Sequence, residues 1–197
     1  MNTASRIDPA PSCIVSCSGQ RRPAATAPGS LEARTQAAAS RQHGEMSMPS
    51  ALPFRLLPSR LSERVDEFNR KREIQWFGFS GRYEVPCTAV ICLSKPESGM
   101  LGGGGTDALN GGIIAAGFDA VCVLAAIAQY DVPAVVTLNL QLQFMRLALS
   151  IPQLQFRAQV LKSARFVCFA QAVLVEVGGE SGHPIVVATA SATLAPR

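Results

Sequence analysis

The stretch "GGGGTDALNGGIIAAGFDAVCVLAAIAQ", residues 102–129, decides how this chain is to be read. Six of its first eleven residues are glycine, which suggests a backbone passing close to something else. From Asn110 to Gln129 the text is apolar with one carboxylate, Asp119, near the middle, and Asp131 and Pro133 then stop it. That pattern predicts a long helix over 110–129. Its apolar run, Ile113 to Ala128, is too short for a membrane span and is interrupted by Asp119, so it reads as a core helix.

The glycines do not form a known phosphate loop. No Lys follows them as Gly-x4-Gly-Lys-Ser/Thr requires. Gly103-x-Gly105-x-x-Ala108 fits a loose dinucleotide fingerprint, but no second crossover helix and no acidic strand end accompany it. Asp119 carries more information. Its helical neighbours at three and four positions are Ala115, Ala116, Cys122 and Val123, with Gly112 and Ala126 a turn beyond. Ile114, Phe118 and Val121 lie round the other side and are expected to pack on a sheet. A carboxylate on a narrow face of small residues is either a satisfied structural group or part of a site. At the helix start, Gly111 and Gly112 present N–H groups that could polarise a carbonyl. Seven residues separate Gly112 from Asp119, about 10 Å of helix, so one helix cannot easily use both on one substrate. Two such helices antiparallel across a two-fold axis could, which favours a dimer with shared sites.

Working outward, residues 1–50 are rich in Ala, Ser, Arg and Pro and read as a disordered or non-native N-terminal extension. Their composition resembles an organelle transit peptide, though Met46 or Met48 could equally be the true start. Residues 51–75 hold "SRLSERVDEFNRKREI", a short amphipathic helix capped by Ser59 or Ser62. Residues 76–197 form the main domain. "YEVPCTAVICLS" reads as a strand with Pro86 at its start. "AVVTLNLQLQFM" alternates, placing Val136, Leu138, Leu140, Leu142 and Phe144 on one face and Thr137, Asn139, Gln141 and Gln143 on the other. "QLQFRAQVLK", "RFVCFAQAVLVEV" and "IVVATASATLA" complete four antiparallel strands, the first two joined by a tight "KSAR" link. The fold class is α+β: a long central helix wrapped by a curved antiparallel β-sheet.

Composition sets the outer bounds. Hydrophobic residues make up 48% of the 197-residue chain and mean hydropathy is +0.20, which supports a real core. The formal charge of +4 is diffuse, which argues against nucleic acid. None of the six cysteines forms a C-x-x-C pair and only two histidines exist, so no metal and no cofactor are expected. Cys122 and Cys168 read as buried apolar thiols, a reducing-compartment pattern that points to the cytoplasm. His43, in the tail, and His183, before Pro184, read as surface residues.

"NGGIIAAGFD" resembles the helix start of hot-dog-fold acyl-CoA thioesterases, most closely the phenylacetate-pathway branch. In that family a His-Gly-Gly opens the central helix and an Asp follows nine positions after the His. Here Gly111, Gly112 and Asp119 are in register and Asn110 stands where the His is expected. "VVTLNLQLQFMRLA" resembles the family's next strand, with Thr137 at its hydroxyl position, and "LKSARF" resembles its x-x-G-R turn, with Ala164 for Gly. Gly104 stands where an Asn or Gln is common. The likeness covers about residues 75–195. It implies a homodimer or homotetramer that hydrolyses acyl-CoA or aryl-CoA thioesters. Asp119 would be general base or nucleophile, Gly111 or Gly112 the carbonyl-polarising amide, and Thr137 a water-orienting hydroxyl, while Arg146, Lys162 and Arg165 would be candidates to meet CoA phosphates. Asn110 can donate a hydrogen bond but cannot carry a proton as imidazole does. A non-hydrolytic hot-dog protein that binds acyl thioesters or serves as an assembly partner stays open beside the enzyme. A hydratase, which relies on a core His, is the weakest fit.

Overall fold

The computed structural model describes residues 50–94, 96–132, 134–149, 151–178 and 183–197, so the expectations for residues 1–49, His43 included, lie outside the described residues. Helix α1 is Pro58–Asn69 and a short α2 is Arg72–Trp76. Neither expected serine caps α1. Its N-cap is Leu57, with no side-chain cap, because Pro58 occupies the first turn, where its fixed φ suits the helix and its missing N–H costs nothing. Asn69 then docks α1 on the next strand: its side chain accepts from Gly81 N–H (2.7 Å) and donates to Gly81 C=O (3.0 Å).

Strands β1 (Phe79–Glu84) and β2 (Thr88–Leu93) form an antiparallel hairpin. The stretch "YEVPCTAVICLS" is therefore the end of one strand, a turn holding Pro86, and a second strand, rather than a single strand starting at Pro86. The glycine-rich stretch makes a smaller hairpin, β3 (Leu101–Gly103) with β4 (Ala108–Leu109). Gly104 and Gly105 turn it at φ +62° and +74°, a conformation that side chains with a Cβ rarely adopt. The long helix α3 follows, Gly111–Ile127, then β5 (Val135–Phe144), β6 (Leu154–Ser163), β7 (Cys168–Glu176) and β8 (Ile185–Pro196).

The large sheet is antiparallel, in the order β1-β2-β6-β7-β8-β5. Helix α3 touches all six strands, so the expected α+β arrangement is present. Its bulky face is as expected: Ile114, Phe118 and Val121 are buried against the sheet side, with Phe156, Ile91 and Leu174 in the same core. Cys122 and Cys168 are buried there too. No helix among the described residues is long and apolar enough to cross a membrane.

Strand β5 departs from simple alternation. Its pairing with β8 shifts register between Thr137 and Asn139. A bulge inserts one residue and moves everything before it to the other face. Leu140 and Leu142 pack on the core as expected, but Val136 (37% exposed) and Leu138 (62%) face outward, and Val135 takes the buried position. Thr137 consequently lies on Val135's face, not opposite the leucines' face as uninterrupted alternation implied.

Helix and sheet pack tightly at Gly117. A Cβ built there would lie 2.3 Å from Phe156 Cζ and 2.6 Å from both Cε atoms. That ring is fully buried and held edge-on by Phe118 (5.4 Å between centroids) and Phe79 (6.0 Å), so it has nowhere to swing. Gly117→Ala is expected to lower unfolding stability by about 3 kcal/mol, at the upper end of overpacking effects. Gly99→Ala, whose Cβ meets nothing within 4 Å, is the matched control in urea titrations and should change little.

Candidate functional site

The β3–β4 hairpin delivers the chain to the start of α3 in a fixed position. Asn110 N–H donates to Met100 C=O (2.8 Å) and Leu109 N–H to Ala148 C=O (3.0 Å), which ties the helix entry to the loop after β5. Asn110 is the N-cap, extended at φ −64° and ψ 140°, and its Oδ1 accepts from Gly112 N–H at 2.8 Å. This is the ordinary role of an N-cap side chain, which satisfies a donor that the helix itself leaves open. The Gly112 amide is therefore already engaged. Gly111 N–H has no hydrogen-bond acceptor among the described residues. Gly111 lines a hollow of about 170 Å³ with Gly104, Leu109, Ile114, Phe144 and Arg146, and the Phe144 ring lies 3.5 Å from where a Cβ at Gly111 would be.

Asp119 opens elsewhere, into a cleft of about 250 Å³. One wall is α3 itself: Ala116, Asp119, Ala120 and Val123, positions i, i+3, i+4 and i+7 of one helical face. The opposite wall comes from the segment before and into β1: Phe68, Lys71, Glu73, Ile74, Phe77 and Phe79. Val135 of β5 closes one side. Cys122, expected on the Asp119 face, is fully buried on the core side. Burial first, and then the Asp119 charge, push its thiol up to about 12. Such a thiol is not a nucleophile at neutral pH.

Thr137 shares Val135's strand face, and its Oγ1 is buried with no hydrogen-bond partner. An unpaired buried hydroxyl is costly enough to mark a place where a partner is missing. The three cations do not come together within the chain. Arg146, exposed, lines the Gly111 hollow. Lys162 and Arg165, also exposed, stand at the opposite end of the sheet. Cross-strand register shows this: Phe144 pairs with Ala188, Ala188 with Leu174 and Leu174 with Phe156, whereas Thr137 pairs with Leu194, Leu194 with Cys168 and Cys168 with Ser163. Six residues of β7 and β8 separate these ends, about 20 Å. Tyr130 holds the Lys162 end, its hydroxyl 2.7 Å from Ala164 C=O and 3.1 Å from Val167 C=O while accepting from Ser163 Oγ. Arg165 lies 4.9 Å over the Phe166 ring. His183 is exposed, and no group of three His, Cys, Asp or Glu among the described residues could hold a metal.

The sequence reading missed the aromatic wall of the Asp119 cleft. Its signal was "IQWFGF", an aromatic cluster directly after the charged helix.

No protein-family model and no curated protein matches the chain. Solved structures do. A thioesterase family protein from Silicibacter pomeroyi is 24% identical with a TM-score of 0.57, covering 68% of this chain and 96% of its own. The PaaI protein of the E. coli phenylacetic acid degradation operon is 16% identical with a TM-score of 0.59, over 72% and 96%. Zebra fish thioesterase superfamily member 2 is 20% identical with a TM-score of 0.54, over 72% and 99%. At these identities the likeness is one of fold, and the fold is the hot-dog arrangement.

Removing the N-cap tests the local geometry. Asn110→Ala should cost about 1 kcal/mol of unfolding stability, read by urea titration. It should also expose the Gly112 amide to faster hydrogen exchange. An unchanged exchange rate would show that Asn110 does not hold that amide.

Proposed function

We propose that this chain hydrolyses acyl-CoA or aryl-CoA thioesters at sites shared across a homodimer two-fold. The observation that carries the reading is Asp119, opening into an aromatic-walled cleft on a helix whose first N–H, at Gly111, is unused. The two lie about 12 Å apart along α3, eight residues at about 1.5 Å each. Antiparallel helices related by a two-fold would set Asp119 of one protomer beside Gly111 of the other. Among the described residues β5 is an edge strand, and with outward Val136 and Leu138 it offers a strand for such pairing.

In that arrangement the thioester carbonyl oxygen accepts from Gly111 N–H at the positive end of the helix dipole. The Asp119 carboxylate takes a proton from water, and the water oxygen bonds to the carbonyl carbon. The unpaired Thr137 hydroxyl is suited to hold that water. Collapse of the tetrahedral intermediate breaks the C–S bond, and the thiolate of CoA leaves with the proton returned. Direct attack by the carboxylate, through an acyl-enzyme anhydride that water then opens, uses the same residues. Gly112 supports the site indirectly, by fixing Asn110 over the helix start. Antiparallel protomers also bring the Lys162 and Arg165 end of one toward the Arg146 end of the other, so cations from both could meet CoA phosphates.

One observation favours the second reading, a non-hydrolytic protein that binds acyl thioesters: the Gly112 amide is occupied by Asn110 rather than open to a carbonyl. Thiol release from short, long-chain and aromatic acyl-CoAs separates the two. The full chain should turn over at least one class. Asp119→Asn, with unchanged circular dichroism and melting temperature, should lose about 10²-fold or more. A folded Asp119→Asn protein within a few-fold of wild type would remove Asp119 from the mechanism.

A further inference from the structure

We infer that Phe77 is a specificity-determining residue, the end wall that limits how long an acyl group the Asp119 cleft accepts; this rests on the acyl-thioester reading above. The cleft's two walls differ in kind. The α3 wall is small apart from Val123, and so gives little selectivity beyond the carboxylate. The opposite wall is large and apolar, and three of its members are fixed: Phe68 (2% exposed), Ile74 (5%) and Phe79 (5%) are core residues. Phe77 alone among the apolar residues of that wall is half-buried.

Its neighbours define a path outward. Phe77 stacks on Phe79 at 5.1 Å between centroids, and Phe79 meets Phe156 edge-on in the core. On its other side Phe77 meets Trp76 edge-on at 4.7 Å, and Trp76 is 67% exposed. The rings thus run from solvent to core, and Phe77 is the one between the cleft and the exposed Trp76. Lys71 and Glu73 supply the polar part of this wall. With a volume of about 250 Å³, at ~30 Å³ for each water-sized group the cleft holds roughly eight non-hydrogen atoms. A medium-length alkyl chain, or one ring on a short linker, fills it. A longer chain must displace Phe77.

Binding of non-hydrolysable thioether analogues of acyl-CoA, graded from short to long alkyl tails, tests this without needing turnover. Calorimetry gives affinity for every variant, and in the wild type and Phe77→Ala proteins Trp76, the single tryptophan of the chain, also reports occupancy by fluorescence. For the wild type, each methylene should strengthen binding about four-fold until roughly eight carbons and then weaken it. Phe77→Ala should move that limit up by about three carbons. Phe77→Trp should move it down, which keeps the test valid if the alanine variant folds poorly. Phe166→Ala, exposed on the β6–β7 turn, should leave the limit in place.

An unmoved limit in folded Phe77→Ala and Phe77→Trp proteins that cleave thioesters overturns this inference alone. A moved limit in a protein that cleaves nothing supports it while removing the hydrolytic reading. Failure of every analogue to bind overturns both.

Discussion

The seating of the long helix on the sheet depends on the contact between Gly117 and the Phe156 ring. At that point the helix has no side chain of its own, and the Phe156 ring of the sheet fills the space a Cβ would take. The contact fixes which side of α3 faces the sheet. Phe118 and Val121 follow it into the core. Asp119, two positions on at about 100° per residue, is turned roughly 200° away and looks outward from the sheet. A buried carboxylate without partners would be very costly, so the direction of this single glycine contact is what makes an Asp in an apolar helix tolerable.

The outward side would be open to water were it not for the residues ahead of the sheet. Asn69 clamps the end of α1 to Gly81 of β1, and Phe68 beside it enters the core. Asp131 draws the start of α1 toward the end of α3 through Arg60 (2.7 Å) and Arg64 (2.9 Å), and these guanidinium groups hold its carboxyl below the usual carboxylate range. The N-terminal helices are thereby anchored at both ends, and the segment that follows α1 becomes a wall of the Asp119 cleft. A helix and a sheet alone would give the carboxylate; the added segment gives it an enclosed apolar surface to work beside.

Legibility in the sequence followed the regularity of each element. Ile114, Phe118 and Val121, spaced four and three apart, announced the buried face of α3 because nothing interrupts its 3.6-residue period. In β5 one extra residue near Leu138 reverses the faces, and no residue type marks a bulge there, so Val136 and Leu138 were assigned to the wrong side. The β1–β2 turn was hidden because "YEVPCT" is strand-like on both sides of Pro86. Ser59 and Ser62 looked like caps, yet Pro58 had already started the helix. Of the candidate site residues, Asp119 and Gly111 stand out by type and spacing, and Thr137 only through the family resemblance. The capping use of Asn110 is readable from Asn-Gly-Gly at a helix start. The aromatic wall leaves its trace in "IQWFGF", but its place beside Asp119 is not readable, because it depends on where α1 and α2 fold back against α3, a contact between segments some fifty residues apart.

The central claim is that Asp119 of one protomer serves Gly111 of another, and subunit complementation tests it most directly. Gly111→Pro removes the N–H at the first helical position, where proline is best tolerated; the extended Asn110 before it already has the backbone that proline requires, and the added Cβ meets the Phe144 ring at an ordinary contact distance of 3.5 Å. Mixed with Asp119→Asn under conditions that exchange subunits, it forms heterodimers with one site fully wild type and one doubly altered. With each variant alone inactive, the account predicts recovery to about a quarter of the wild-type rate in an equal mixture, from half the molecules each with one working site. Folded variants that exchange subunits and recover nothing would contradict it, and would place both groups of a working site in the same chain.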